Sequence, residues 1–244
     1  MTHVEPPMTL VEEVMWILSD HPECTPELYD EVAGNYGAFR QLWLDLAGAR
    51  TEQAMLDDLG EVLHGAPRVL DAGCGTGAMA REVLQRCPTA RVSMVDASQG
   101  MLAHTSDVDG ERYLADVTDL PFDDDVFDVV LCSWVIETLD DPRVAVSGLL
   151  RVLKPEGFLL YTFCSFPGGW LSTRGSVFLR RAVERGFAGR FLDSDEQPWH
   201  DCDRSRRVSF YGGLSTYVLL RKCCTVEEGV LPPLVQAAVP PTLL

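Results

Sequence analysis

The sequence has no apolar run long enough to cross a membrane and no signal peptide at its start. A membrane-spanning helix needs roughly 18 apolar residues, and every run in this chain is shorter. Acidic residues and prolines stand near the N-terminus, where a signal peptide would carry positive charge. We therefore expect a cytoplasmic protein with no membrane partner.

Basic residues are also scarce. The chain has 20 lysines and arginines against 37 aspartates and glutamates, which gives a formal net charge of -17. A field of this sign repels phosphate backbones, so a nucleic-acid partner is disfavoured. The one short basic cluster, at residues 204–207, is predicted to be a solvated strand edge.

Cysteine pairs with metal-ligand spacing are absent. None of the eight cysteines forms a C-x-x-C motif, and several fall inside predicted strands. We interpret them as small apolar side chains in a reducing compartment and predict no metal site. The alternative is a soft-metal site at Cys202, Cys223 and Cys224, which no ligand spacing supports.

A glycine-rich loop is the most informative feature that is present. Residues 69–77 read Val-Leu-Asp-Ala-Gly-Cys-Gly-Thr-Gly, an apolar strand that ends in an acid and continues into alternating glycines. Such a loop lets a ligand lie against the backbone, next to the amides of the helix that begins near Ala78. Taken alone it also satisfies the dinucleotide fingerprint, with Asp96 about 20 residues on, so a nicotinamide-dependent oxidoreductase is an alternative.

Strands and helices alternate from Arg68 to Cys164, which predicts a parallel sheet that is covered on both faces. The predicted strands cover residues 69–72, 92–95, 112–114, 127–132 and 158–161, and two more cover residues 208–211 and 215–220. Asp71, Asp96, Asp116 and Ser133 stand at strand ends. Ligands of parallel sheets bind at that edge, so these residues are expected to converge.

This ordered series resembles the class I S-adenosylmethionine-dependent methyltransferases, and within them the small-molecule enzymes similar to the ubiquinone and menaquinone C-methyltransferases. The resemblance covers about residues 25 to 222. It implies an α/β fold with a seven-stranded Rossmann-like sheet, an antiparallel last strand, helices on both faces and an N-terminal helical cap. The implied reaction is methyl transfer from S-adenosylmethionine to an O, N or C nucleophile of a small organic molecule. S-Adenosylhomocysteine would be the product, and the enzyme would be a monomer or homodimer.

The predicted domain organisation has three parts. Residues 1–50 form the cap, residues 51–224 the methyltransferase domain with a substrate-side insertion at 166–203, and residues 225–244 a flexible or docking tail. Within the cap, helices are predicted over about residues 9–18, from Thr25 to Gly34, and around Phe39 to Leu46. A further helix, capped near Thr51, is predicted to run to about Leu63.

The resemblance also implies the residues that bind the cofactor. Asp71 would orient its ammonium group, Asp96 would accept from its ribose hydroxyls, and Asp116 with the amide of Val117 would bind its adenine edge. The remaining predicted contacts are Tyr29, Gly73, Cys74, Gly75, Gly77, Ala97, Met101 and Ser133. Ser133 and its neighbour Trp134 would lie where the fourth strand faces the methionine part of the cofactor. The alternatives are a helix cap for Asp96, a turn acid for Asp116 and ordinary core packing for Met101.

The acceptor side has the weakest signature. His200 and Tyr36 are the catalytic candidates, although a surface histidine and ordinary cap packing are the alternatives. Many relatives have Glu-His after the fourth strand, whereas this chain has Glu137-Thr138. A methyltransferase-like module that binds without turnover therefore stays open as an alternative.

Overall fold

The computed structural model describes residues 25–165, 191–192, 196–198 and 205–223. Four predictions lie outside these residues: the helix over about residues 9–18, most of the insertion, His200, and the tail at 225–244. No helix in the described part of the chain is long and apolar enough to cross a membrane.

Seven strands of the described chain form one sheet. They are β1 (Arg68–Ala72), β2 (Arg91–Asp96), β3 (Glu111–Leu114), β4 (Phe127–Ser133), β5 (Leu153–Cys164), β6 (Ser205–Phe210) and β7 (Ser215–Arg221). Their order is β3-β2-β1-β4-β5-β7-β6. The first five strands pair in parallel, and β7 is antiparallel to both of its neighbours. The predicted sheet, with its antiparallel last strand, is confirmed.

Helices cover both faces of this sheet. They are α1 (Pro26–Val32), α2 (Tyr36–Trp43), α3 (Ala49–Val62), α4 (Ala78–Arg86), α5 (Gln99–Ala103) and α6 (Pro142–Val152). In β1, Leu70 packs in a cluster with α6 residues such as Leu149, while Val69 packs with Met55 of α3 and Val83 of α4. The alternation of side chains along each strand thus fills two cores.

The predicted helix cap at Thr51 is wrong. A π-helical segment, Leu44–Gly48, joins α2 directly to α3, so Thr51 lies inside a helix. The Thr51 hydroxyl is fully buried and donates to Ser215 Oγ at 2.8 Å, and Ser215 Oγ donates to the Ala47 carbonyl at 3.0 Å. The Thr51 hydroxyl therefore has a buried partner on β7 and does not cap a helix.

Candidate functional site

The glycine loop after β1 has a backbone that only glycine adopts easily. Gly73, Gly75 and Gly77 have φ values of 68°, 51° and 81°. A Cβ atom on Gly73 would lie 2.3 Å from Val135 Cγ2, and one on Gly75 would lie 3.7 Å from Tyr36 Cε1. The loop therefore runs directly beneath residues of the β4 end and of the cap.

Asp96, at the end of β2, holds this loop with both carboxylate oxygens. Oδ2 accepts from the Gly75 amide at 2.7 Å, and Oδ1 accepts from the Ser98 amide at 2.9 Å. Burial raises the pKa of Asp96, although these hydrogen bonds oppose the shift. A carboxylate accepts about four hydrogen bonds, so Asp96 keeps acceptor capacity of the kind that suits a vicinal diol.

Asp71 lies below the loop rather than in the pocket above it. The residue is 1% exposed, and its Oδ2 accepts from the Ala80 amide at 3.0 Å, near the start of α4. Burial raises the pKa of Asp71 to about 7, and the charge of Arg40 opposes that rise. Cys74 and Gly77 likewise do not line the pocket. The role of Asp71 toward an ammonium group stays a prediction.

One pocket brings most of the other predicted residues together at the carboxyl edge of the sheet. It is lined by Tyr29, Tyr36, Gly73, Gly75, Asp96, Ala97, Met101, Asp116, Val117 and Ser133. Trp134, which was expected beside Ser133, also lines the pocket, and the lining residues without an assigned role are Thr25, Pro26, Ser98, Val135, Thr138 and Leu139. None of these residues carries a charge, so local sequence gives no signal for a role in the site.

The cap is fixed over the pocket by Asp30, to which the sequence analysis gave no role. Asp30 Oδ1 accepts from Ser98 Oγ at 2.6 Å and from the Gly100 amide at 2.6 Å. These hydrogen bonds lower the pKa of Asp30. Ser98 also caps α5, because its Oγ accepts from the Met101 amide at 3.0 Å. Asp30 therefore joins α1 to the start of α5.

Trp134 follows β4 in a conformation that is unfavourable for a bulky residue. Its φ is 60°, a left-handed value that costs on the order of 1 to 3 kcal/mol. Its amide donates to Thr162 Oγ1 at 3.0 Å, its indole Nε1 donates to Glu52 Oε2 at 3.4 Å, and its ring meets Trp43 edge to face at 5.4 Å. Glu52 also pairs with Arg40.

Glu137 is a buried acid beside the pocket. It lies in the short 3-10 turn Ile136–Thr138 and is 4% exposed. Its Oε2 is the one buried side-chain oxygen or nitrogen without a hydrogen-bond partner in the described chain. Burial raises the pKa of Glu137 to about 7, and contact with Cys164 opposes the rise. The carboxyl is therefore partly protonated near neutrality.

The described lining residues suit binding better than proton transfer. They include two carboxylates, several hydroxyls and three large aromatic side chains, but no histidine, lysine or arginine of the described chain. His200 lies outside the described residues, although Pro198, two positions earlier, accepts from the Tyr161 hydroxyl at 2.6 Å. That contact ties the preceding segment to β5.

Comparison with known proteins adds an independent line of information. Residues 70–161 match the family model described as a methyltransferase domain. The chain is 32% identical over 206 residues to a demethylmenaquinone methyltransferase of Clavibacter sepedonicus, covering 75% of this chain and 79% of the relative. It is 33% identical over 189 residues to a malonyl-[acyl-carrier protein] O-methyltransferase of Hahella chejuensis, covering 73% and 57% respectively.

Solved structures share the fold. The phosphoethanolamine N-methyltransferase 2 of Haemonchus contortus, solved with S-adenosyl-L-methionine, superposes with a TM-score of 0.56 at 18% identity. The match covers 70% of this chain and 52% of that protein. At this identity the likeness establishes the architecture alone.

Proposed function

Since the chain belongs to the class I S-adenosylmethionine-dependent methyltransferases of the ubiquinone and menaquinone type, we propose that its pocket holds this cofactor against a small organic acceptor. The observation that carries the assignment is the placement of Asp96. Backbone amides hold both of its oxygens directly beside the glycine loop, and the two oxygens of a carboxylate match a vicinal diol such as that of ribose. Asp116 and Val117 lie in the same pocket, where they would bind adenine.

The residues present fit the cofactor. Gly73 and Gly75 leave room above the loop that side chains would fill, and the pocket wall contains both apolar surface and acidic oxygens. When bound, S-adenosylmethionine supplies an activated methyl group with a neutral thioether as leaving group. The chain's own task is to orient the acceptor atom in line with that methyl group and to exclude water.

Tyr29 and Tyr36 are proposed to close the site from the cap side. Their rings meet edge to face at 6.3 Å, and Tyr36 lies above Gly75. Because the cap is fixed to α5 through Asp30, these rings stand opposite the carboxyl edge of the sheet. They would exclude water from the methyl group and shape the acceptor side.

Thr138 does not offer a free proton acceptor of the kind a histidine would. Its hydroxyl donates to the Val135 carbonyl at 2.7 Å, which fixes the turn. A base, where the acceptor needs one, is therefore proposed to come from the insertion, with His200 as the candidate. The tether from Tyr161 to Pro198 supports a position of that segment against the sheet.

The acceptor is proposed to be an uncharged or cationic organic molecule of the cytoplasm. The net charge of -17 and the acidic pocket disfavour phosphates and carboxylates. The relatives described above are named for demethylmenaquinone and for malonyl-[acyl-carrier protein]. We propose neither compound as the acceptor of this chain. A monomer or a homodimer is the proposed assembly.

Calorimetry with S-adenosylhomocysteine and with NAD tests the proposal. We expect micromolar binding of S-adenosylhomocysteine and no heat of binding with NAD. S-Adenosylhomocysteine carries the same ribose diol and adenine, and it needs no acceptor in the experiment. Binding of NAD without binding of S-adenosylhomocysteine would overturn the assignment and favour the oxidoreductase alternative.

A further inference from the structure

Strand β2 holds the first half of the glycine loop. The Cys74 amide donates to the Val95 carbonyl at 2.9 Å, and the Gly75 amide donates to Asp96 at 2.7 Å. Thr76 lies beyond these contacts, between two glycines with positive φ. A glycine backbone loses more conformational freedom than any other when it is ordered. The second half of the loop therefore depends on a further contact to keep one conformation.

Arg81, in the first turn of α4, makes that contact. Its Nη1 donates to the Thr76 carbonyl at 2.6 Å. The same guanidinium reaches the connection between α5 and β3, where Nη2 donates to the His104 carbonyl at 3.2 Å. Its Nε and Nη2 also donate to the two oxygens of Asp107 at 3.0 and 2.5 Å. Because the donors of a guanidinium form a rigid fork, one side chain joins the two loops.

The connection between α5 and β3 is itself firmly held. Arg112 of β3 donates from Nε to Thr105 Oγ1 at 2.8 Å and from Nη2 to the Val108 carbonyl at 2.7 Å. Thr105 is fully buried, and a Cβ atom on Gly77 would lie 3.1 Å from Thr105 Cγ2. The glycine loop therefore packs against this connection, and Arg81 fixes it there.

We infer that Arg81 is a positioning residue for the cofactor, because it holds the peptide between Thr76 and Gly77 and so orders the glycine loop before the ligand arrives. The inference rests on the proposed function. Arg81 lies outside the described lining of the pocket, so it acts through the loop and not by contact with the ligand. A loop that is already ordered loses less conformational freedom on binding, which raises the affinity.

Calorimetry with S-adenosylhomocysteine tests this inference. We expect the Kd to rise about 5- to 10-fold in Arg81→Ala, the loss expected for one hydrogen bond from a charged donor. Arg81→Lys keeps a donor of the same charge but loses the fork, so its Kd should fall between those of Arg81→Ala and the wild type.

Hydrogen exchange of the ligand-free protein separates positioning from a general loss of stability. In Arg81→Ala the amides of residues 73–77 should exchange faster than in the wild type, whereas the amides of α4 should keep their rates. Faster exchange throughout α4, with no difference confined to the loop, would overturn the positioning role.

Arg86→Ala is the matched control, since Arg86 pairs with Glu82 on the surface of the same helix. It should leave both the Kd and the exchange of the loop unchanged. Wild-type affinity in Arg81→Ala, or an equal loss in Arg86→Ala, would overturn the assignment to Arg81. Failure of the wild-type protein to bind S-adenosylhomocysteine would instead overturn the proposed function.

Discussion

At the scale of single residues, Asp96 combines two roles in one carboxylate. It braces the backbone of Gly75 and Ser98, and we propose that it also binds the ribose of the cofactor in the pocket that it lines. Asp96→Ala should weaken cofactor binding by roughly 2 to 4 kcal/mol, because two charge-assisted hydrogen bonds to the ribose are lost together. Calorimetry with S-adenosylhomocysteine measures the difference.

Asp116→Ala is the comparison for Asp96→Ala. Asp116 lines the same pocket but is exposed, and its Oδ1 accepts from the amide and hydroxyl of Thr118 at 2.7 and 2.6 Å. Its loss should cost about 1 kcal/mol of binding, as expected for one exposed hydrogen bond. If wild type and a folded Asp96→Ala variant bound S-adenosylhomocysteine equally well, Asp96 would serve only to hold the glycine loop.

At the scale of elements, the site depends on how α1 docks on α5. The contact joins an apolar cluster that includes Leu28, Val32 and Met101 to a polar one, in which a single oxygen of Asp30 accepts both hydrogen bonds. Gly100 leaves no room for a side chain, since its Cβ would lie 2.9 Å from Asp30 Cα. Asp30→Ala should loosen the cap and weaken the binding of S-adenosylhomocysteine by about 1 to 2 kcal/mol, because two hydrogen bonds to a charged acceptor disappear while the apolar cluster remains.

Glu31→Ala, at the exposed neighbouring position of α1, is the control for Asp30→Ala and should bind like the wild type. The thermal midpoint of unfolding should move little in either variant, because both side chains are exposed. Wild-type affinity in Asp30→Ala would show that the cap stays closed without this contact.

At the scale of the whole molecule, Glu137 couples stability to pH. Its pKa is raised from 4.5 to about 7 by burial, so the folded state keeps a proton that the unfolded state releases. Stability from this group is therefore complete below about pH 4.5 and is lost as pH rises to about 7. Each pKa unit corresponds to about 1.4 kcal/mol, which gives a loss on the order of 3 kcal/mol.

Glu137→Gln should remove this part of the pH dependence. We expect its free energy of unfolding, relative to the wild type, to increase by about 3 kcal/mol between pH 4.5 and pH 7.5 in urea titrations. Glu61 is exposed on α3, so the free energy of unfolding of Glu61→Gln should change with pH as that of the wild type does. Parallel profiles for Glu137→Gln as well would mean that the carboxyl is not buried in solution. Asp71 adds a slope of the same sign, which the comparison cancels.

Local pattern determined the sheet and its ligand-binding edge. The short apolar runs before Asp71, Asp96 and Ser133 favoured buried strands, and the helical periodicity between them favoured parallel connections. Parallel strands end at one edge, so the sequence predicted that Asp71, Asp96, Asp116 and Ser133 would meet. The pocket contains Asp96, Asp116 and Ser133, whereas Asp71 is buried and does not line it. The glycine pattern could likewise be recognised because positive φ values restrict the residue type strongly.

Contacts between distant segments could not be predicted from local sequence. Asp30 accepts a hydrogen bond from Gly100, 70 residues away, and Glu52 accepts one from Trp134, 82 residues away. No local sequence pattern predicts either pair. The same holds for Thr51. Its sequence position predicted a helix cap, whereas its hydroxyl is buried and donates to Ser215, 164 residues away. Side-chain chemistry near one segment was thus predictable. Which polar group is buried, strained or partnered was not, because those properties depend on the packing of elements that are far apart along the chain.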